Sequence, residues 1–105
     1  MPNRSTITID EVRFNKTHRH SNVLIIGAGF GGIAAALRMR AKGYSVTIVD
    51  RLKSIGGRAP VFQKGGFYHD AGPTLITAPF LFDELFELFG EKREDYLEFR
   101  PLDPW

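Results

Sequence analysis

The sequence predicts an α/β chain built on one strand–helix–strand unit. Three observations carry that reading. The aliphatic run Val23-Leu24-Ile25-Ile26 has the composition of a parallel strand buried on both faces. Glycines at 27, 29, 31 and 32 follow at once and open an alanine- and leucine-rich stretch, Ile33 to Lys42, of helical length. A second run, Tyr44 to Val49, alternates and closes on Asp50.

Each element has its own local reasons. Residues 1–22 are polar and mixed in charge and read as an N-terminal tail. Thr6-Ile7-Thr8-Ile9 alternates like a strand, but no partner is evident in the sequence. His18-Arg19-His20 is too sparse for a metal site, which needs more ligands on a rigid frame. Arg38, Arg40 and Lys42 suit the negative end of a helix, and Gly43 is placed to terminate it.

Arg51 to Arg58 reads as a loop containing Gly56-Gly57. Ala59 to Lys64 and Phe67 to His69 read as a short hairpin around Gly65-Gly66. Asp70 to Thr74 reads as a second loop. A helix starts near Pro79, with Phe82, Leu85, Phe86 and Phe89 on one face and Asp83, Glu84, Glu87 and Glu91 on the wet side. That stripe has the spacing of any packed helix face. Gly90 closes the helix, Arg93 to Tyr96 adds a turn, and Leu97 to Arg100 is expected as a strand.

Composition narrows the function classes. The 105 residues contain no cysteine, which excludes disulfides, thiolate catalysis and cysteine-ligated metals. The net charge of +2 resides in the first 22 residues, where Arg4, Arg13, Lys16 and Arg19 outnumber Asp10 and Glu11. The basic balance therefore belongs to a tail, not to a nucleic-acid-binding face. No apolar run approaches a membrane span or a secretory signal, and Asp10 and Glu11 argue against a mitochondrial presequence. The expected location is cytoplasmic, with peripheral membrane contact left open.

The chemistry lies in the glycines. Gly27, Gly29 and Gly32 form G-x-G-x-x-G between a strand and a helix. The first glycine permits a sharp turn, the second lets a pyrophosphate approach the backbone, and the third lets helix and strand pack closely. The helix N-terminus then offers N–H groups to phosphate. Asp50, 18 residues after Gly32, can accept hydrogen bonds from a ribose diol. Its charge disfavours a 2′-phosphate, and Arg51 beside it does not reverse that. These features predict a Rossmann-like dinucleotide site, with NAD and FAD not yet distinguished.

The next motif separates them by resemblance. After a five-residue spacer, Asp50 is followed by Gly56-Gly57-Arg58. Val23 to Arg58 resembles the N-terminal FAD signature of the flavoproteins that include amine oxidases, protoporphyrinogen oxidases and carotenoid desaturases. The resemblance implies that Arg58 offsets pyrophosphate charge and that Gly57 lets the backbone approach. One departure is the acid itself: the family most often has glutamate where this chain has Asp50.

Gly66-Phe67-Tyr68-His69-Asp70-Ala71-Gly72-Pro73-Thr74-Leu75-Ile76-Thr77 resembles bacterial-type phytoene desaturases, as do Phe82 to Gly90 and Tyr96 to Pro104. In that group the loop with Pro73 and Thr74 lies close to the flavin. The candidate cofactor residues are thus the loop Gly27, Ala28, Gly29, Phe30, Gly31 and Gly32, then Asp50 and Arg51, Gly57 and Arg58, and Pro73 and Thr74. His69 and Asp70 are adjacent on a strand and face opposite ways, so they do not form an acid–base pair. No catalytic residue and no metal site is assigned.

The implied function is the FAD-binding N-terminal part of a carotenoid desaturase-like oxidoreductase acting on a lipophilic carotenoid precursor. Two alternatives stay open: an amine, porphyrinogen or retinoid oxidoreductase of the same superfamily, and a non-catalytic truncated product. The expected fold is a Rossmann-like FAD-binding βαβ unit followed by a short β-hairpin and a helix. Residues 23–105 would form an incomplete domain, inactive alone, because a doubly wound sheet needs more strands than these.

Overall fold

Two parallel strands and the helix that joins them carry the fold. The structure is a computed structural model that describes residues 5–8 and 21–104. Ile9, the His18-Arg19-His20 segment and Trp105 lie outside the described residues. The chain divides into two compact units, Met1–Leu75 and Ile76–Trp105.

In the first unit, β2 (Asn22–Ile26) pairs in parallel with β3 (Ser45–Asp50), and α1 (Phe30–Ala41) connects them. The register sets Val23 opposite Val46 and Ile25 opposite Ile48. These four side chains share one face of the sheet, because alternate residues of a strand point the same way. Val46, Ile48, Ala28 and Ala36 form the buried core, with Val23, Ile25 and Tyr44 packed around it. Ala36 and Gly32 are small enough for helix and sheet to approach closely. A Cβ on Gly32 would run into the carbonyl oxygen of Gly27.

The opposite face departs from expectation. Leu24 is 60% exposed and Ile26 84% exposed, so the aliphatic run is buried on one face and not on both. The cause is layer count: α1 is the one helix among this unit's described residues, and one helix covers one face.

A second correction concerns the segment taken as an unpaired tail. Ser5–Thr8 forms β1, antiparallel to β3, giving the sheet order β1-β3-β2. Ser5 lies opposite Asp50 and Thr8 opposite Thr47. The alternation of Thr6-Ile7-Thr8 signalled a strand. Its partner is about forty residues away in the chain, and local pattern carries no information about such a pairing.

Helix α1 begins at Phe30, inside the glycine run, and ends in a Schellman motif. The Tyr44 N–H donates to the Met39 carbonyl and the Gly43 N–H to the Arg40 carbonyl. Gly43, at φ +97°, takes the left-handed position that this ending requires. Farther on, β4 (Val61–Lys64) and β5 (Phe67–Asp70) form the expected hairpin, and Asp70 extends β5 by one residue. Gly65 and Gly66 both have positive φ, as a two-residue type I′ turn demands. The ring of His69 stacks on its cross-strand partner Phe62, centroids 5.1 Å apart.

The second unit contains α2 (Pro79–Glu87) and a short 3-10 turn, Arg93–Asp95. The phenylalanine stripe packs locally: Phe82 meets Phe99 edge-on and Phe86 stacks on Tyr96. Asp83, expected on the wet side, is half-buried and accepts from Arg93 Nε at 2.7 Å. Leu97 to Arg100 is not a strand. Arg93 donates to the Leu97 carbonyl and lies over the Phe99 ring, so this segment is held by side-chain contacts in place of a ladder.

Substitution at adjacent glycines tests the close approach of α1. Gly32→Ala is expected to destabilise the protein by about 1–3 kcal/mol in denaturant titration, the usual scale of overpacking. Gly31→Ala, where a Cβ meets nothing within 4 Å, is expected to be neutral or mildly stabilising through helix propensity. Equal effects at the two positions would contradict the packing described.

Candidate functional site

The site is assembled almost entirely from backbone. Strand β2 ends at Ile26, and Gly27 turns the chain at φ +110°, a conformation open to glycine and strained for other residues. Its N–H donates to the Val49 carbonyl at 2.7 Å, tying the turn to the neighbouring strand. Gly29 then caps α1 in an extended conformation, and its carbonyl accepts from the Ile33 N–H at 2.9 Å. A helix leaves its first-turn N–H groups without intrahelical partners, and its dipole is positive there. The first turn of α1 carries no acidic side chain. A Cβ on Gly31 would stand in open space. This end of α1 is a surface that an anion can approach.

Ala28, buried in the middle of the loop, is gripped on both sides. Its N–H donates to Asp50 Oδ2 at 2.7 Å. Its carbonyl accepts from the Gly56 N–H at 2.8 Å. The other carboxylate oxygen, Asp50 Oδ1, accepts from the Leu52 N–H at 2.7 Å, an Asx turn that starts the loop after β3. The Ala28 N–H first, the Leu52 N–H next and the charge of Arg51 hold the Asp50 carboxyl below its ordinary value, against a smaller opposing effect of burial.

The second glycine loop lies against the first. Gly57 has φ +60°, and a Cβ there would stand 2.8 Å from the Gly29 Cα. Only glycine fits that position, on both conformational and steric grounds. The Arg58 side chain is exposed, while its carbonyl packs under Gly72. The Ala71 N–H donates to the Pro60 carbonyl at 2.9 Å. Three segments distant in sequence therefore meet: residues 27–32, Asp50 with Gly56–Arg58, and the loop carrying Gly72. Pro73 and Thr74 follow Gly72 with exposed side chains, and Phe30 at the start of α1 and Arg51 after β3 are exposed too.

The sequence singled out Ala28 as a cofactor residue and placed Gly56 and Gly72 within motifs, but it did not show that these three join the segments. Ala28 acts through its peptide group, Gly56 through its N–H, and Gly72 through the absence of a side chain against Arg58 and Ala59. Asp50 two residues before a free backbone donor was a readable signal for the Asx turn. The Ala28 contact had none. Among the described residues there is no group of three or more metal-ligating side chains. No helix among them is long and apolar enough to cross a membrane.

Comparison with known proteins agrees with this geometry. Residues 25–91 match the family described as the NAD(P)-binding Rossmann-like domain. The chain belongs to that family. Its Rossmann-like unit is also similar to carotenoid-modifying enzymes. It is 46% identical to the phytoene desaturase (lycopene-forming) of Pantoea ananas over 77% of this chain and 16% of that protein. It is 44% identical to the phytoene desaturase (neurosporene-forming) of Rhodobacter capsulatus over 85% of this chain and 17% of that protein. With the 4,4'-diaponeurosporene oxygenase of Staphylococcus aureus it shares 38% over 77% of this chain and 16% of that protein. The chain thus spans 16–17% of the length of these relatives.

The lowered Asp50 pKa has a defined consequence for stability. A carboxyl whose folded pKa lies below its unfolded value stabilises the fold fully above that unfolded value, 3.8, and loses the contribution as pH falls through the folded pKa. Thermal denaturation of wild type and Asp50→Asn should differ by a constant margin above pH 3.8. The margin should shrink below it. A margin that ignores acid would detach the carboxylate from the loop.

Proposed function

We propose that this chain supplies the adenosine and pyrophosphate end of an FAD site in a carotenoid desaturase-like oxidoreductase. The observation that carries the reading is the docking of Gly56–Gly57 onto Ala28–Gly29 at the start of α1, with Arg58 next in the chain. The phosphate-binding turn of the simple Rossmann unit uses one glycine-rich loop, and here a second lies against it. The relatives point the same way: identities of 42–46% fall on enzymes named as phytoene and diapophytoene desaturases, against 34–38% for those named as oxygenases.

The residues present fit such a group. Gly31 leaves open space at the helix start, Gly29 presents bare backbone, and Asp50 keeps acceptor capacity on both oxygens beyond its two N–H partners. In this reading the first-turn amides of α1 hold the pyrophosphate, Asp50 accepts from the adenosine ribose, and Arg58 balances phosphate charge. Phe30 and Arg51 border the same loop. Pro73 and Thr74 lie toward the flavin, as the resemblance to phytoene desaturases implies.

Bound oxidised flavin would accept a hydride equivalent from one carbon of a polyene while a proton leaves its neighbour, so that a C–C single bond becomes a double bond. This chain's contribution is to bind and orient; none of its side chains is placed as the catalytic acid or base. A carotenoid precursor resides in lipid, so peripheral membrane contact belongs to the same proposal.

Two substitutions test it. At Gly29 a Cβ meets only the Gly57 Cα at 3.7 Å, an ordinary contact, yet it enters the path of the pyrophosphate. In a full-length desaturase carrying this segment, Gly29→Ala should keep its thermal denaturation and lose its flavin absorbance. Arg58→Ala should weaken FAD binding by about 1–3 kcal/mol, the scale of one charge-assisted hydrogen bond. Stoichiometric NADPH without flavin in the purified protein would overturn the reading.

A further inference from the structure

We propose that Asp50 is a positioning residue for the pyrophosphate end of the site, acting through the Ala28 peptide as well as by contact with the ribose. The inference rests on the dinucleotide reading of the glycine loop and goes beyond it. In that reading the acid is an acceptor for a sugar hydroxyl and nothing else.

The geometry argues for a second task. Asp50 ends β3, and Ala28 lies in the loop after β2, 22 residues earlier. The carboxylate spans the two with a 2.7 Å bond to the Ala28 N–H. The same carboxylate holds the Leu52 N–H at 2.7 Å. On its far side, the Ala28 peptide is held by the Gly56 N–H. The two peptide groups that flank the Ala28 Cα are thus fixed, the first by the acid and the second by the Gly56 loop, immediately before Gly29, whose backbone starts α1.

Glycine-rich loops have the largest conformational entropy to lose on ordering. A loop clamped before ligand arrives has already lost it, and binding is tighter for that reason. Asp50 therefore affects ligand groups that it never touches. Asparagine does not replace it. Its single carboxamide oxygen serves one of the two N–H donors, and its NH2 group opposes the other.

The first measurement needs no ligand. With alanine and leucine selectively labelled with nitrogen-15, the Ala28 and Leu52 amide protons should shift together in one acid titration. Arg51 is the charged neighbour of the carboxylate. Two amides that titrate separately, or not at all, overturn the proposal. This readout is made on wild type and is independent of whether a variant folds.

The second measurement separates positioning from ribose contact. ADP and 2′,3′-dideoxy-ADP are titrated calorimetrically into wild type and Asp50→Asn. A positioning role weakens both nucleotides, the dideoxy form by roughly tenfold, the scale of losing one charged hydrogen bond. If only ADP is weakened, the acid serves the ribose alone and the proposal is overturned. If wild type binds neither nucleotide, the dinucleotide reading fails, and the amide titration by itself decides whether Asp50 shapes the loop.

Discussion

The Ala28 peptide is the point at which the first unit's sequence-distant segments are joined. Its N–H is held by the Asp50 carboxylate and its carbonyl by the Gly56 N–H. The first bond adds to the Gly27-to-Val49 hydrogen bond in tying the glycine loop to the end of β3. The second anchors the loop carrying Arg58 on the first. Gly72, packed on the Arg58 and Ala59 backbone, extends the chain of dependence to the loop before Pro73. Each link is a backbone group in fixed geometry. The arrangement is therefore tolerant of side-chain change and intolerant of change at Gly32, Gly57, Gly72 and Asp50.

That dependence sorts the glycines by physical role. Gly32 is small because α1 lies on the Gly27 carbonyl; Gly57 is small and left-handed because Gly29 lies against it. Gly31 meets no neighbour at all. In a protein without a ligand there would be no reason to leave that position bare, since alanine is the better helix former by about 1 kcal/mol. Packing thus explains Gly32 and Gly57 and does not explain Gly31; the proposed dinucleotide site would use the open space there.

The strand–helix–strand core was legible because its signals are local. Four aliphatic residues in a row, a glycine run and a helix ending in Gly43 each fix structure over a few positions. The hairpin was legible for the same reason, through Gly65-Gly66. What escaped was nonlocal. The pairing of Ser5–Thr8 with β3 depends on a strand edge that no pattern near residue 5 describes. Burial of Val23–Ile26 on both faces was inferred from composition, and composition does not report how many layers cover a sheet. Leu97 to Arg100 has strand-like residues, but Arg93 takes the Leu97 carbonyl and the face of Phe99. At the site, spacing singled out Gly27, Gly29, Gly32 and Asp50, and the family resemblance singled out Gly57 and Arg58. The contact between Asp50 and Ala28 was not, since a carboxylate placed to accept from a ribose looks identical in sequence to one that accepts from a peptide.

A carboxylate beside a loop proposed to hold a pyrophosphate is at first sight a conflict of charge. The hydrogen bonds resolve it. Two backbone N–H dipoles point at Asp50, one on each oxygen, and they stabilise the ionised form where it stands. The negative charge is thereby held at the β3 end of the loop, while the positive end of the α1 dipole remains directed at the turn. The choice of aspartate over the glutamate more usual in similar flavoproteins fits this division. The bond from Asp50 to the N–H two residues on is an Asx turn, which the short aspartate stem forms readily. One methylene more would move the carboxylate out of that turn. Here the shorter acid closes its own loop and reaches the Ala28 peptide in the same conformation, so the end of β3 and the start of α1 are set by a single side chain.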